Sequence, residues 1–188
     1  MHPTLEEIEK GMDHVRRSPS KQGTVEGLCI RPEVNERKEL ESCLFSPERG
    51  VEGDFWFRKC WKTLDDGRSD PEAQIAMMNT RFIDLISGSR EGWKLAGDQV
   101  YVNMDISEAN LSPGDRLKMG DAVLEITPLP HTGCKLFVER FGVEAMKYLS
   151  TPTGKALRLR GIYARTVVEG IVKVGDSVSK AGVPSDEG

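Results

Sequence analysis

The chain has 188 residues, 38% hydrophobic and 30% charged, which is enough for one well-buried core. A formal charge of -4 and a pI of about 5.5 exclude general binding to a bare nucleic-acid backbone, which needs a surplus of Lys and Arg, so an anionic ligand must meet a local basic cluster. No apolar run is long enough to span a bilayer, and the opening MHPTLEEIEKGMDHVRR lacks the apolar stretch of a signal peptide, so the expectation is a cytoplasmic protein without a membrane partner.

Residues 1–21 mix charge with Pro and Ser in RRSPSKQG and are expected to be an N-terminal extension, loose or peripheral. Residues 22–180 read as one domain. Its strand candidates begin with GTVEGLCIR at 23–31 and EAQIAMMN at 72–79. TRFIDLISGS, after an Asn79 or Thr80 cap, spaces Phe82 and Ile86 as a helix does and ends near Gly88. In QVYVNMDI, Val100, Val102, Met104 and Ile106 alternate with Gln99, Tyr101, Asn103 and Asp105, which predicts a strand with one apolar and one polar face. AVLEIT follows the same pattern. LFVERFGVEAMKYLS carries the stripe Phe137, Phe141, Ala145, Tyr148 and Leu149 of a helix, broken or bent at Gly142. IYARTVV and GIVKVGDSV supply the last strands, and 181–188 is expected to be a flexible tail. Many short strands joined by Gly-Asp turns predict a mainly β fold, a closed or nearly closed barrel with a few helices.

The four cysteines include no C-x-x-C pair, which disfavours a disulfide framework and a structural zinc site. Cys29, Cys43 and Cys60 read as ordinary thiols. Cys134, in PHTGCKLFVERFG, sits in a turn that feeds a helix, with His131, Lys135 and Arg140 nearby in sequence. Helix-start N–H groups and a neighbouring cation stabilise a thiolate, the form that attacks sulfur or binds a soft metal. Against this stands the common case of a cysteine that merely packs. His131 and Cys134 also make half of a possible metal site, with no second half in view. In RLRGIYARTVVEG, Arg158, Arg160 and Arg165 suit an oxyanion or form a solvated basic edge. LDDGRSD misses the calcium-loop spacing and reads as a surface hairpin or loop, and FWFRKCWK as an aromatic core or cleft wall.

Several stretches, in order, carry a resemblance: GTVEGLCIRP, RGVEGDFW, QIAMMNTRFIDLI, GDQVYVNMDISEANLSPGDRLKMGDAVLEITPLPHTGCKLFVERFG and RLRGIYARTVVEGIVKVGDSV. Together, over roughly residues 23–180, they resemble the MOSC domain, the family named for the C-terminal domain of molybdenum cofactor sulfurase. The resemblance implies a mostly antiparallel β-barrel, binding of the molybdenum cofactor (molybdopterin), and Cys134 as molybdenum ligand or sulfur (persulfide) carrier. It makes Lys135, Arg158, Arg160 and Arg165 anion contacts for the pterin phosphate, places Thr132 and Gly133 in the cysteine turn, and puts His131 behind it. Asn79, Thr80 and Arg81 fall in the strand-to-helix turn and Asp54 in the Gly-Asp turn, both expected to line the cleft. Phe55 stands after Asp54, where many members carry a basic residue. Implied chemistry is reduction of N-hydroxylated compounds with electrons from separate proteins. A non-enzymatic sulfur relay fed by a donor protein, and a barrel with an inert Cys134, stay open beside it.

Overall fold

The structure is a computed structural model that describes residues 2–181. The strands are β1 (Gln22–Ile30), β2 (Lys38–Leu40), β3 (Ser42–Ser46), β4 (Gly50–Val51), β5 (Ile75–Asn79), β6 (Val100–Asn103), β7 (Arg116–Met119), β8 (Ala122–Ile126), β9 (Ile162–Val168), β10 (Gly170–Lys173) and β11 (Ser177–Lys180). Helices α1 (Leu5–Arg16), α2 (Thr80–Ser87), α3 (Lys135–Phe141), α4 (Val143–Leu149) and α5 (Pro152–Ala156) are joined to them by short 3-10 turns.

Seven strands close on themselves in the order β1-β11-β7-β8-β9-β5-β6, with β2 added outside β1. Closure leaves no free edge in the ring. Every junction is antiparallel except β5–β6, which is parallel. The barrel is therefore mixed, and the exception has a local cause: two parallel neighbours need a crossover, and α2 supplies it. A separate three-stranded sheet, β10-β3-β4, packs beside the barrel.

Alternation along the strands sorts the core into two layers. Val25, Met77, Val100, Val102, Leu117, Leu124, Ile126 and Val178 point into the barrel. Met78 and Tyr101, one residue out of phase, point outward into a second layer made with Phe82, Ile83, Ile86, Phe137 and Phe141. The polar outer face expected for residues 99–106 is thus covered at Tyr101, whose hydroxyl donates to the Trp93 carbonyl at 2.6 Å. Tyr serves there because its ring fills the layer while its oxygen finds a partner.

The expected loose N-terminus is instead a helix. Thr4 and Glu7 form a capping box at its start, and Ile8, Met12 and Val15 are buried in the outer layer. Pattern explains it, since Ile8, Met12 and Val15 fall on one face at i, i+4 and i+7. The predicted long second helix is split at Gly142, which adopts φ 90° and divides α3 from α4. The LDDGRSD segment forms a small hairpin closed by a Thr63–Ser69 bridge, with Gly67 at φ 84°. Of the tail expected at 181–188, residues 182–188 lie outside the described ones. Among the described residues no helix is long and apolar enough to cross a membrane.

Candidate functional site

The cysteine turn leaves the barrel at the end of β8. Thr127 pins its start: the backbone N–H donates to the Tyr163 carbonyl at 3.0 Å and the hydroxyl to the Glu72 carbonyl at 2.8 Å. Residues 128–133 then run without regular structure, with Pro128 and Pro130 removing two donors. Cys134 ends the run in an extended conformation and begins α3, its carbonyl accepting from Phe137 and Val138. Its side chain is exposed and forms no capping hydrogen bond.

The thiol lines a cleft of about 620 Å³ together with Arg31, Arg37, Lys59, Arg140, Arg160 and the aromatic residues Phe55, Trp61 and Tyr163. Two of the five cations are neutralised by buried carboxylates. Arg31 donates to both Asp54 oxygens, at 3.0 and 2.9 Å, and lies over the Phe55 ring. Arg160 donates from one nitrogen to both Asp98 oxygens, at 3.1 and 2.8 Å, and from another to the Ala96 carbonyl. Both acidic side chains are wholly buried. Burial raises the Asp98 carboxyl above the usual range, and Arg160 works in the opposite direction.

Arg37, Lys59 and Arg140 have no acidic partner among the described residues. Arg37 donates to the Glu36 carbonyl and Arg140 to the Leu95 carbonyl, while the buried Nε of Arg37 has no partner. Burial, then the nearby charges of Arg140 and Arg31, lowers the Arg37 pKa. Cations held together without a counter-charge make a site for an anion.

His131 forms part of the same cleft wall. Its side chain is 6% exposed, its ring centroid is 4.3 Å from that of Tyr163, and its Nδ1 is 3.6 Å from Asp98 with no hydrogen bond. Burial, reinforced by Arg160 and Arg31, holds its pKa well below the ordinary histidine value, so the imidazole is neutral.

The other sequence-predicted residues are dispersed. Thr132 lines the cleft, and Gly133 lines a neighbouring pocket of about 420 Å³ that shares His131, Thr132 and Arg160 with it. A Cβ at Gly133 would meet the Met146 sulfur at 2.4 Å. Arg158 lines that second pocket at φ 48°, its guanidinium donating to the Leu111 carbonyl at 2.8 Å. Arg165 pairs with Glu125 on the barrel exterior, and Lys135 is 91% exposed beside Glu139; neither lines the cleft. Asn79 caps α2 and donates to Ser18 and Met104, Thr80 is buried, and Arg81 binds Asn103 and the His14 carbonyl, all on the helical layer away from the cleft. Asp54 acts through Arg31 from beneath. Arg140 was marked by its closeness to Cys134 along the chain, whereas Asp98 and Arg37 had no sequence signal beyond a Gly-Asp turn and an isolated charge, because their meeting with it depends on separate loops converging.

No group of three or more His, Cys, Asp or Glu side chains converges as a metal site among the described residues. A metal at this thiol would have to arrive with ligands of its own. The donor set suits such a cofactor if it is anionic: one open thiol, three uncompensated cations and a neutral imidazole.

The chain is thus a closed barrel with an exposed thiol, Cys134, at a cleft that five cationic side chains also line. The model of the MOSC domain matches residues 69–179, more than half of the chain, and the chain belongs to the MOSC domain family. The matched stretch includes Asp98, His131, Cys134, Arg140 and Arg160. Among solved structures, the chain is similar to the YuaD protein from Bacillus subtilis, with 20% identity, a TM-score of 0.61, and coverage of 84% of this chain and 94% of that one. It is similar also to YiiM from Geobacillus stearothermophilus (12% identity, TM-score 0.55, 84% and 74% covered) and to YiiM from Escherichia coli (16%, 0.53, 89% and 73%). At these identities the likeness shows the fold. No curated protein matches the chain. Family membership ties the chain in general terms to molybdenum-cofactor and sulfur chemistry.

Proposed function

We propose that the Cys134 cleft binds the molybdenum cofactor, with the Cys134 thiolate as a ligand to its molybdenum. The observation that supports this best is that the exposed thiol shares one cleft with Arg37, Lys59 and Arg140, which have no acidic partner among the described residues. These cations would take the pterin phosphate, a role that the family resemblance implied for Lys135, Arg158, Arg160 and Arg165. When bound, the cofactor supplies redox chemistry at molybdenum. The chain's own residues bind and orient: Asp54 and Asp98 fix Arg31 and Arg160, and neutral His131 keeps a wall of the cleft uncharged. Trp61 and Tyr163 limit water on one side. Reduction of N-hydroxylated compounds, with electrons from a separate protein in the cytoplasm, is the activity to assay.

The exposure of Cys134 favours a second reading, in which the thiol accepts sulfur from a donor protein and carries it as a persulfide. Both readings are tested by purifying wild type and Cys134→Ala from a cofactor-competent host under anaerobic conditions. Molybdenum and pterin near one per chain in wild type, with the metal lost in the variant, is the expected result. Absence of both, after added cofactor also fails to bind, overturns the cofactor reading. A persulfide on Cys134 by mass spectrometry without pterin establishes the relay.

A further inference from the structure

Cys60 lines the same cleft as Cys134, and nothing in the proposed function uses it. The four thiols divide into two kinds. Cys29 is buried, with its pKa pushed up to about 11 by burial, and Cys43 donates to the Glu52 carbonyl at 3.2 Å. Cys60 and Cys134 make no side-chain hydrogen bond among the described residues and face one cleft from two segments of irregular backbone.

Among the described residues Cys60 and Trp61 form no backbone hydrogen bonds, the loop being held on either side by Lys59 to Phe55 and by the Thr63–Ser69 bridge. Residues 128–133 likewise have none between Thr127 and Cys134. The two segments share a side-chain neighbourhood: Cys60 and Leu129 each pack against the cluster of Ala73, Ala76 and Tyr163, and the Tyr163 ring lies 4.3 Å from that of His131. A disulfide needs Cα atoms roughly 5.5 Å apart, and neither segment carries a ladder hydrogen bond that their approach would have to break.

We infer that Cys60 and Cys134 are a redox pair, joined by oxidation into a disulfide across the mouth of the cleft. With a peroxide, the Cys134 thiolate attacks one oxygen, forming a sulfenic acid and releasing water after protonation. The Cys60 thiolate then attacks that sulfur and expels the second oxygen as water. Two thiols and one peroxide thus give one disulfide and two waters, and a dithiol reductant restores the pair. The closed form would deny the thiol to any cofactor or sulfur donor.

The test uses the purified full chain without cofactor, so its outcome does not depend on the proposed function. Treatment with hydrogen peroxide should reduce the titratable thiols of the denatured protein from four to two and give a Cys60–Cys134 linked peptide after non-reducing digestion, reversed by dithiothreitol. In Cys60→Ser, the Cys134 sulfenic acid should instead be trapped by dimedone. Equal dimedone trapping in wild type and Cys60→Ser, or a Cys134 disulfide between two chains, overturns the inference. Uptake of cofactor by the reduced protein is read separately.

Discussion

Arg160 donates from one nitrogen to both carboxylate oxygens of Asp98, at 3.1 and 2.8 Å, beneath the cleft that Cys134 lines. Removing the acid would leave a guanidinium that is 89% buried by its side chain without its counter-charge, since only 11% is exposed. Breaking such a pair from one side costs about 3–5 kcal/mol. Asp98→Ala should lose stability on that scale in urea unfolding, whereas Asp98→Asn, which keeps an acceptor, should lose less. An Asp98→Ala loss below about 1 kcal/mol would mean that water replaces the carboxylate.

Because Asp54 and Asp98 balance the charges of Arg31 and Arg160, anion affinity should reside in Arg37, Lys59 and Arg140. Inorganic pyrophosphate should raise the melting temperature of the wild type, with the linkage at ten times Kd worth about 1.4 kcal/mol. Arg140→Gln should weaken this response at least several-fold and Arg165→Gln should leave it unchanged. The reverse ranking would return the anion site to the arginines of the β9 motif.

His131 makes stability depend on pH. Its folded pKa is depressed by burial, with Arg160 and Arg31 adding to the effect, while Asp98 at 3.6 Å is already engaged by Arg160. The unfolded state therefore binds a proton that the folded state refuses, once pH falls below the ordinary histidine value. Stability contributed by this group is complete above about pH 6.5 and falls by up to about 1.4 kcal/mol per pH unit below it. The difference between wild type and His131→Gln in urea midpoints at pH 7.5 and 5.5 isolates the slope from the carboxylates. A slope that survives the substitution would place the titration elsewhere.

Gly161 has φ 102°, and a Cβ there would lie 2.3 Å from the Met77 carbonyl oxygen and 3.3 Å from His131 Nδ1. The first neighbour is backbone of a barrel strand and cannot give way. Gly161→Ala should cost about 2 kcal/mol or more and also slow Cys134 modification by shifting the His131 segment. Thermal unfolding and thiol labelling measure the two effects independently.

Met12 on α1 is fully buried, so Met12→Ala should cost about 2–5 kcal/mol. A loss within 0.5 kcal/mol would show the first helix to be peripheral after all. Chemical denaturation decides it.

The barrel was legible because its inward residues alternate: Val100, Val102 and Met104, then Ala122, Leu124 and Ile126, repeat at the strand period. Local chemistry also marked the α2 cap at Asn79, the break at Gly142 and the turn that places Cys134 at a helix start, while the exposure of its thiol was read only from the structure. Helix α1 was obscured by its charges, since three buried residues among twelve leave the stretch looking solvated. Tyr101 misled for a related reason: a polar atom on an outward position looks like a solvent face until a helix covers it.

Sequence by itself determined the barrel, the one cysteine offered at a helix start, and the family pattern around it, because each is written in residues close along the chain. Which charges stand beside that cysteine was decided only by the tertiary structure. Asp98 reaches Arg160 across 62 positions, and the charge of Arg140 acts on Arg37 from a distant part of the chain. Burial then decides which cations are neutralised in place and which are left to meet a ligand.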